Sequence, residues 1–177
     1  EMSTMVLADK LTDQVSVIER ISKSMPAGTK LLVKEHIPCI GMRPRGFYNR
    51  IKSLPDVHLV SPFNDNFELI KKSDLVVTMT GSAAWEAIRL KKPALILGKL
   101  HFINIGEGFV ATESLDKLDQ SIKKALTEKP ASQKAVETYM ATIIKEGFIM
   151  STAGIWFDDA HDQTALKKAA EIIVNDM

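Results

Sequence analysis

Residues 74–98 read DLVVTMTGSAAWEAIRLKKPALILG, and this stretch decides the fold. Residues 74–79 are a short apolar run, which is typical of a strand buried on both faces. The pair Gly81-Ser82 interrupts that run, and residues 83–90 then carry an alanine-rich face at helical spacing. Residues 93–97 form a second apolar run. A strand, a helix and a strand in this order predict a βαβ unit with parallel strands and a right-handed crossover.

The same alternation extends toward the amino terminus. Two further short apolar runs, at 30–34 and 57–60, are predicted to be strands. Helical spacing of apolar residues predicts helices at 12–24, at 45–53 and, capped by Asn64, up to Lys72. We therefore predict an α/β fold in which residues 1–105 form a Rossmann-like, doubly wound parallel sheet.

Residues 106–177 have a different character. A composition shift at 107–114 is interpreted as a loop. Helical spacing then recurs without intervening strands, at 114–126, 132–146 and 162–175. Each of these segments has an apolar face that needs cover. We expect the helices to pack on the α/β unit, so that residues 1–177 form a single domain.

The composition excludes several classes of protein. Of the 177 residues, 45% are hydrophobic and 25% are charged, which excludes a disordered, collagen-like or disulfide-scaffold chain. Lys and Arg number 23 against 22 Asp and Glu, so bulk charge gives no reason to expect a nucleic-acid partner. The single cysteine, Cys39, excludes an internal disulfide and suits a reducing cytoplasm. No apolar run approaches the ~18 residues that a membrane-spanning helix needs.

One cluster of metal-binding residue types occurs near the carboxy terminus, at Asp158, Asp159, His161 and Asp162. Its spacing matches neither a zinc site nor an EF-hand, and Asp162 is explained as a helix cap. We interpret the cluster as a solvated turn, and we expect neither a metal nor a cofactor in this protein.

The polar residues that follow the predicted strands are the candidates for binding, because ligands of open parallel sheets lie beyond the carboxyl ends of the strands. Thr80, Gly81 and Ser82 form a small-residue turn before a helix, where free N–H groups and the helix dipole favour an anion such as phosphate. Glu86, one helical turn later, can accept hydrogen bonds from sugar hydroxyls. The alternative is that Ser82 only caps the helix, Gly81 only turns the chain and Glu86 is solvated.

A second group of candidates follows the strand at 30–34. His36, flanked by Lys34 and Arg43, can donate a hydrogen bond to a phosphate or carboxylate or form an ion pair with it. The alternatives are that His36 has a structural role, that Lys34 is a lysine at the edge of a strand, and that Arg43 is solvated.

The order of these motifs is more specific than any one of them. The order is Asp13-Gln14, Met25-Pro26, LVKEH at 32–36, Gly41-Met42-Arg43, Tyr48, VHLVSP at 57–62, TMTGSAAWEA at 78–87, Lys92-Pro93-Ala94 and Gly98. Over residues 9–105 it resembles the C-terminal half of bacterial capsule polysaccharide biosynthesis proteins. That family includes the Kdo-transferring enzymes that build the lipid linker of the capsule.

The resemblance implies a GT-B glycosyltransferase architecture, with two Rossmann-like domains and the active site between them. It implies that the C-terminal domain binds a nucleotide sugar such as CMP-Kdo. In that reading Glu86 holds donor hydroxyls, the 80–82 turn cradles the donor phosphate, and the loop at 61–63 borders the base. The predicted donor-binding residues are Lys34, His36, Arg43, Ser61, Pro62, Thr80, Gly81, Ser82 and Glu86.

Two features depart from the family pattern. Ile37 stands between His36 and Pro38, whereas the family has proline directly after histidine. The turn at 80–82 reads Thr-Gly-Ser rather than the commoner Thr-Gly-Thr.

The resemblance also implies that a first strand and an acceptor domain precede Glu1, and that this missing domain binds a glycan or glycolipid acceptor. We expect a cytoplasmic protein that, at full length, associates peripherally with the inner membrane. No catalytic residue is assigned, because the base in GT-B enzymes generally comes from the missing half. Two alternatives stay open: half of a nucleotide-sugar 2-epimerase, and a non-catalytic nucleotide-binding or assembly module.

Overall fold

The computed structural model describes residues 8, 11–112, 114–146, 167 and 171 of the chain. The chain divides into two compact units, Glu1–Val136 and Glu137–Met177. All of the strands and all of the candidate site residues described below belong to the first unit. None of the helices in the described part is long and apolar enough to span a bilayer.

Five short parallel strands are described, and they form two sheets. In one sheet β1 (Leu31–Lys34) pairs with β2 (Val57–Val60), with Leu31 opposite Val57. The other sheet has the order β3-β4-β5, and its strands are Val76–Thr78, Ala94–Ile96 and Phe109–Ala111. The predicted α/β class with parallel strands is confirmed. The described strands form two sheets, however, and not the single continuous sheet that we predicted.

Six α-helices are described. In chain order, α1 precedes β1, helices α2, α3 and α4 each connect two successive strands, and α5 and α6 follow β5. Their bounds are Gln14–Ser24, Phe47–Lys52, Asn66–Lys72, Ala83–Arg89, Leu118–Leu126 and Gln133–Glu146. Single 3₁₀ turns occupy Ile37–Cys39 and His101–Ile105. The helix predicted at 162–175 and the cluster at 158–162 lie outside the described residues, apart from Lys167 and Glu171, which are helical.

Two local predictions are corrected by the structure. Phe109–Ala111 was predicted to be loop but forms β5, since Val110 is buried beside β4. The cap of α3 is Asp65 rather than Asn64, because the Asp65 carboxylate accepts the Glu68 N–H at 3.1 Å. Asn64 instead donates its own N–H to the Ser61 carbonyl in the preceding turn.

The core lies between the three-stranded sheet and two helices. Leu95 and Leu97 pack with Val17 and Ile21 of α1 and with side chains of α5. Because side chains alternate along a strand, Ala94 and Ile96 face the opposite side, where α4 contacts β3 and β4. Helices therefore cover both faces of this sheet, and the loops at the strand ends are left to carry polar groups.

Candidate functional site

The predicted site residues lie at or after the carboxyl ends of three strands. Lys34 ends β1, and Ser61 and Pro62 follow β2. Thr80, Gly81 and Ser82 lie between β3 and α4. Because the strands of each sheet are parallel, their carboxyl ends lie at the same end of that sheet.

The turn between β3 and α4 is held by Thr78. The Gly81 N–H donates to Thr78 Oγ1 at 3.0 Å, so this N–H group is not free for an anion, contrary to expectation. A Cβ atom on Gly81 would lie 2.9 Å from the same oxygen. The close approach of the Thr78 hydroxyl, and not a positive φ, therefore favours glycine at position 81.

Ser82 and Glu86 form a pair that points to a ligand. Ser82 occupies the N-cap position of α4, but its side chain makes no capping bond. Its hydroxyl donates instead to Glu86 Oε1 at 3.2 Å. The second carboxylate oxygen, Glu86 Oε2, is buried and has no hydrogen-bond partner within the described part of the chain. Neither a solvated Glu86 nor a Ser82 that merely caps the helix fits this geometry.

The unpartnered oxygen is costly in the free protein. A buried polar atom without a hydrogen bond costs about 1–3 kcal/mol, and more when it is charged. A ligand hydroxyl or N–H group that donates to Glu86 Oε2 would remove that cost. The site is therefore chemically suited to a ligand with hydrogen-bond donors.

Aromatic side chains connect α4 to the 3₁₀ turn that follows β4. The rings of Trp85 and Phe102 lie 6.1 Å apart, and Phe102 is buried within the turn at 101–105. The His101 ring meets the edge of Phe102 at 5.3 Å. The contact between Phe102 and α4 was not predicted from the sequence. The available signal was Trp85, an aromatic residue in the first turn of the helix, three residues past Ser82.

The loop after β1 is organised around Glu35, which was not predicted to have a role. Arg43 donates from Nε to Glu35 Oε2 at 2.8 Å and from Nη2 to Oε1 at 2.7 Å. The Tyr48 hydroxyl donates to Oε2 at 3.1 Å. The Arg43 and Glu35 side chains are only 8% and 9% exposed, and the guanidinium lies 4.7 Å from the centre of the Phe47 ring.

This network changes the interpretation of Arg43. A guanidinium that is bound to a buried carboxylate on two of its nitrogens is committed within the protein. We therefore assign Arg43 to holding the loop rather than to contacting a phosphate.

The protonation of Glu35 and Tyr48 reflects the same network. Burial alone would raise the pKa of Glu35, but hydrogen bonds from Arg43 and from the His36 backbone outweigh it and lower the pKa below its ordinary value. Burial, together with the hydrogen bond to Glu35, raises the pKa of the Tyr48 hydroxyl. The carboxylate is thus held ionised and the phenol is held neutral.

His36 is positioned by its backbone rather than by its ring. Its N–H donates to Glu35 Oε1 at 2.8 Å, while its side chain is exposed. The ring Nδ1 lies 3.9 Å from Cys39 Sγ, across the 3₁₀ turn that contains Pro38. Ile37, the departure from the family pattern, is the first residue of that turn.

A hydrogen bond joins the carboxyl end of β1 to the start of α3. Lys34 Nζ donates to Asn66 Oδ1 at 2.6 Å. In the β2 loop, Ser61 Oγ accepts the Phe63 N–H at 3.3 Å, Pro62 is half-buried, and the Phe63 side chain is 76% exposed. Lys34 therefore ties the end of β1 to the helix that follows the Ser61 loop.

A separate concavity lies at the end of β5. It has a volume of about 470 Å³, and it is lined by Thr112, Ser114, Asp116, Lys117, Gln120, Ser121 and Lys124. It contains none of the predicted residues. We favour the β3–α4 turn as the binding site because an unpartnered buried oxygen lies there.

The comparisons with known proteins leave the family of the chain open. No protein-family model matches the chain, and neither the curated proteins nor the solved structures contain a significant match to it. Across the residues that the structure describes, no group of three or more His, Cys, Asp or Glu side chains is arranged to hold a metal ion.

Proposed function

We propose that this chain is the donor-binding part of a glycosyltransferase of cell-surface polysaccharide synthesis, and that it binds a nucleotide sugar. The observation that carries the proposal is the buried Glu86 Oε2, which lacks a partner beside the Thr80-Gly81-Ser82 turn. A sugar offers adjacent hydroxyl donors, which such an oxygen would accept.

The other end of the nucleotide sugar fits the loops after β1 and β2. His36 is exposed, and Lys34, two residues earlier, carries a positive charge. Both are suited to the phosphate of a nucleotide. Ser61 and Pro62, on the neighbouring loop, would border the base.

In this proposal the chain has the Rossmann-like fold of a GT-B C-terminal domain, and CMP-Kdo is one candidate donor. A glycan or glycolipid acceptor and the catalytic base would come from a separate acceptor domain. The full-length enzyme would work in the cytoplasm at the inner membrane. On its own, this chain would bind the donor without transferring its sugar.

Calorimetric titration with CMP and with UDP tests the ligand class, and CMP-Kdo then tests the sugar contact. We expect weak binding of a nucleotide by the wild-type chain and tighter binding of the nucleotide sugar. Glu86→Gln should lose the gain that the sugar provides. Glu68→Gln, on the exposed surface of α3, is the matched control and should bind like the wild type.

The proposal would be contradicted if none of these ligands gave heat at about 1 mM. A dissociation constant of that size corresponds to a binding free energy of about −4 kcal/mol. Turnover of the full-length protein distinguishes the three candidate functions. Transfer to an acceptor supports the transferase, an epimerised sugar indicates the 2-epimerase, and binding without turnover indicates an assembly module.

A further inference from the structure

One loop of the first unit exposes large apolar side chains although its backbone is fixed. The loop runs from His36 to Arg43, between β1 and α2. Three of its residues are large, apolar and exposed: Ile37, Ile40 and Met42, the last by 77%. Cys39 is the only member of the loop that is buried. Exposed apolar side chains that cluster in this way indicate a surface that binds a partner.

The loop is held in its conformation at both ends and from within. The Glu35 carboxylate accepts the backbone N–H of His36 and binds two nitrogens of Arg43. Three successive backbone hydrogen bonds lie inside the loop: Cys39 N–H to the His36 carbonyl at 2.8 Å, and Ile40 N–H to Ile37 and Met42 N–H to Cys39, both at 3.1 Å. Turning the apolar side chains inward would break these bonds, so their exposure is a property of the folded loop.

A further exposed apolar side chain lies on the neighbouring loop. β1 and β2 are parallel, with Lys34 opposite Val60, so the loops that follow them leave the sheet side by side. Phe63, in the loop after β2, is exposed to nearly the same degree as Met42. We call four side chains the apolar tip: Ile37, Ile40, Met42 and Phe63.

The exposed charge beside the apolar tip is positive. Residues 36–55 contain four Arg and Lys residues and no Asp or Glu, although acidic and basic residues are nearly equal in number over the whole chain. Arg43 is neutralised by Glu35, but Arg45 is exposed and has no ion-pair partner among the described residues. At the start of α3, Asp65 is engaged as the helix cap and Glu68 is ion-paired.

We propose that the apolar tip inserts into the surface of an anionic lipid bilayer, with Arg45 among the acidic headgroups. Exposed apolar area combined with positive charge is what binding to such a surface requires. Side chains on an exposed loop can enter a fluid lipid interface without a complementary cavity, whereas a protein partner would need one. Because the loop is already fixed, it loses little conformational freedom when it inserts.

The apolar tip borders residues that are proposed to bind the nucleotide sugar. His36 begins the loop, and Ser61 and Pro62 precede Phe63. Docking would therefore hold the candidate site at the lipid surface, where a glycolipid acceptor would lie. The inference rests on the proposed function for the choice of membrane, but it assigns the contact to this chain itself and not to a separate domain.

Flotation with lipid vesicles tests the proposal on the 177-residue chain. One set of vesicles contains phosphatidylcholine and phosphatidylglycerol in a ratio of about 2 to 1, and the other contains phosphatidylcholine alone. We expect the wild type to bind the anionic vesicles at least about 5-fold more tightly than the neutral ones. Added salt should weaken that binding, because it screens the charge of Arg45.

Two variants locate the contact on the loop. Met42→Glu places a charge at the most exposed position of the apolar tip, so it should weaken binding to the anionic vesicles at least about 10-fold. Ile144→Glu, on α6, is the matched control, because Ile144 is exposed to a similar degree. It should bind like the wild type. Both positions are exposed, so thermal unfolding should show that both variants fold.

Two results would overturn the proposal. One is that the wild type and Met42→Glu bind the anionic vesicles equally, or that neither binds them. The other is self-association of the wild type that Met42→Glu abolishes, measured without lipid by analytical ultracentrifugation, since this would assign the apolar tip to a protein interface. Neither result bears on nucleotide binding, which calorimetry measures separately.

Discussion

Arg43 and Glu35, eight residues apart across a loop, form a buried two-point ion pair, with contacts of 2.8 and 2.7 Å. The pair closes the segment between β1 and α2, and the Glu35 carboxylate also accepts the His36 backbone N–H. The conformation of the His36 loop therefore depends on an arginine that does not need to touch the ligand.

Replacing Arg43 should destabilise the fold. Arg43→Ala leaves the buried Glu35 carboxylate without its charged partner, which typically costs about 3–5 kcal/mol. Urea unfolding measures this loss. Arg45→Ala, in the same loop but exposed, is the control and should change the free energy of unfolding by less than about 0.5 kcal/mol. Equal effects of the two substitutions would contradict the importance of the pair.

The contribution of this pair should depend on pH. The pKa of Glu35 is lowered in the folded protein from its ordinary value of 4.5, so the stability that it provides is fully present above that value. The contribution is lost as the pH falls through the lower, folded pKa. The difference in unfolding free energy between the wild type and Arg43→Ala should therefore be largest near neutral pH and shrink as the solution is acidified. A difference that grows on acidification would contradict the lowered pKa that is assigned to Glu35.

Gly81→Ala tests the close approach of Thr78. The new Cβ would lie 2.9 Å from Thr78 Oγ1, and crowding of this kind costs about 1–3 kcal/mol. Thr78→Ala should remove both the clash and the hydrogen bond to the Gly81 N–H. The double variant should therefore be more stable than the sum of the two single effects implies, and simple additivity would argue against the contact.

His36→Ala should weaken nucleotide binding without loss of stability, because the ring is exposed. A hydrogen bond to a charged group is worth about 1.5–3 kcal/mol, or roughly 10- to 150-fold in affinity. Calorimetry measures the affinity, and thermal unfolding measures the stability. The control is His58→Ala, which removes another exposed histidine, on β2. Unchanged affinity in His36→Ala would remove His36 from the site.

Much of the fold could be predicted because it is encoded locally. The strand at 57–60 was predicted with its observed bounds, since three apolar residues among four, between turn residues, leave few alternatives. β5 was not predicted, because its three residues, which follow a glycine and precede a threonine, are too few to show a periodic pattern of apolar residues. The separation into two sheets could not be predicted, since apolar runs do not specify which edges pair.

The candidate site divides in the same way. Ser82 and Glu86 are four residues apart on or next to a helix, so their contact follows from helical geometry. The Glu35–Arg43 pair depends on the path of a loop that contains two glycines at positive φ, Gly41 and Gly46. No periodic pattern indicates that path. The sequence therefore predicted which residues follow the strands but not which of them are already bound to each other.

The unpaired edge of β1 has a consequence for handling the protein. Among the described strands, β1 pairs with β2 alone, so the Leu32 N–H points away from its neighbour, and Leu32 itself is 52% exposed. Such an edge is a template on which another molecule can add a strand. The folded protein should therefore self-associate, with precipitation that increases with protein concentration even under conditions far from thermal unfolding.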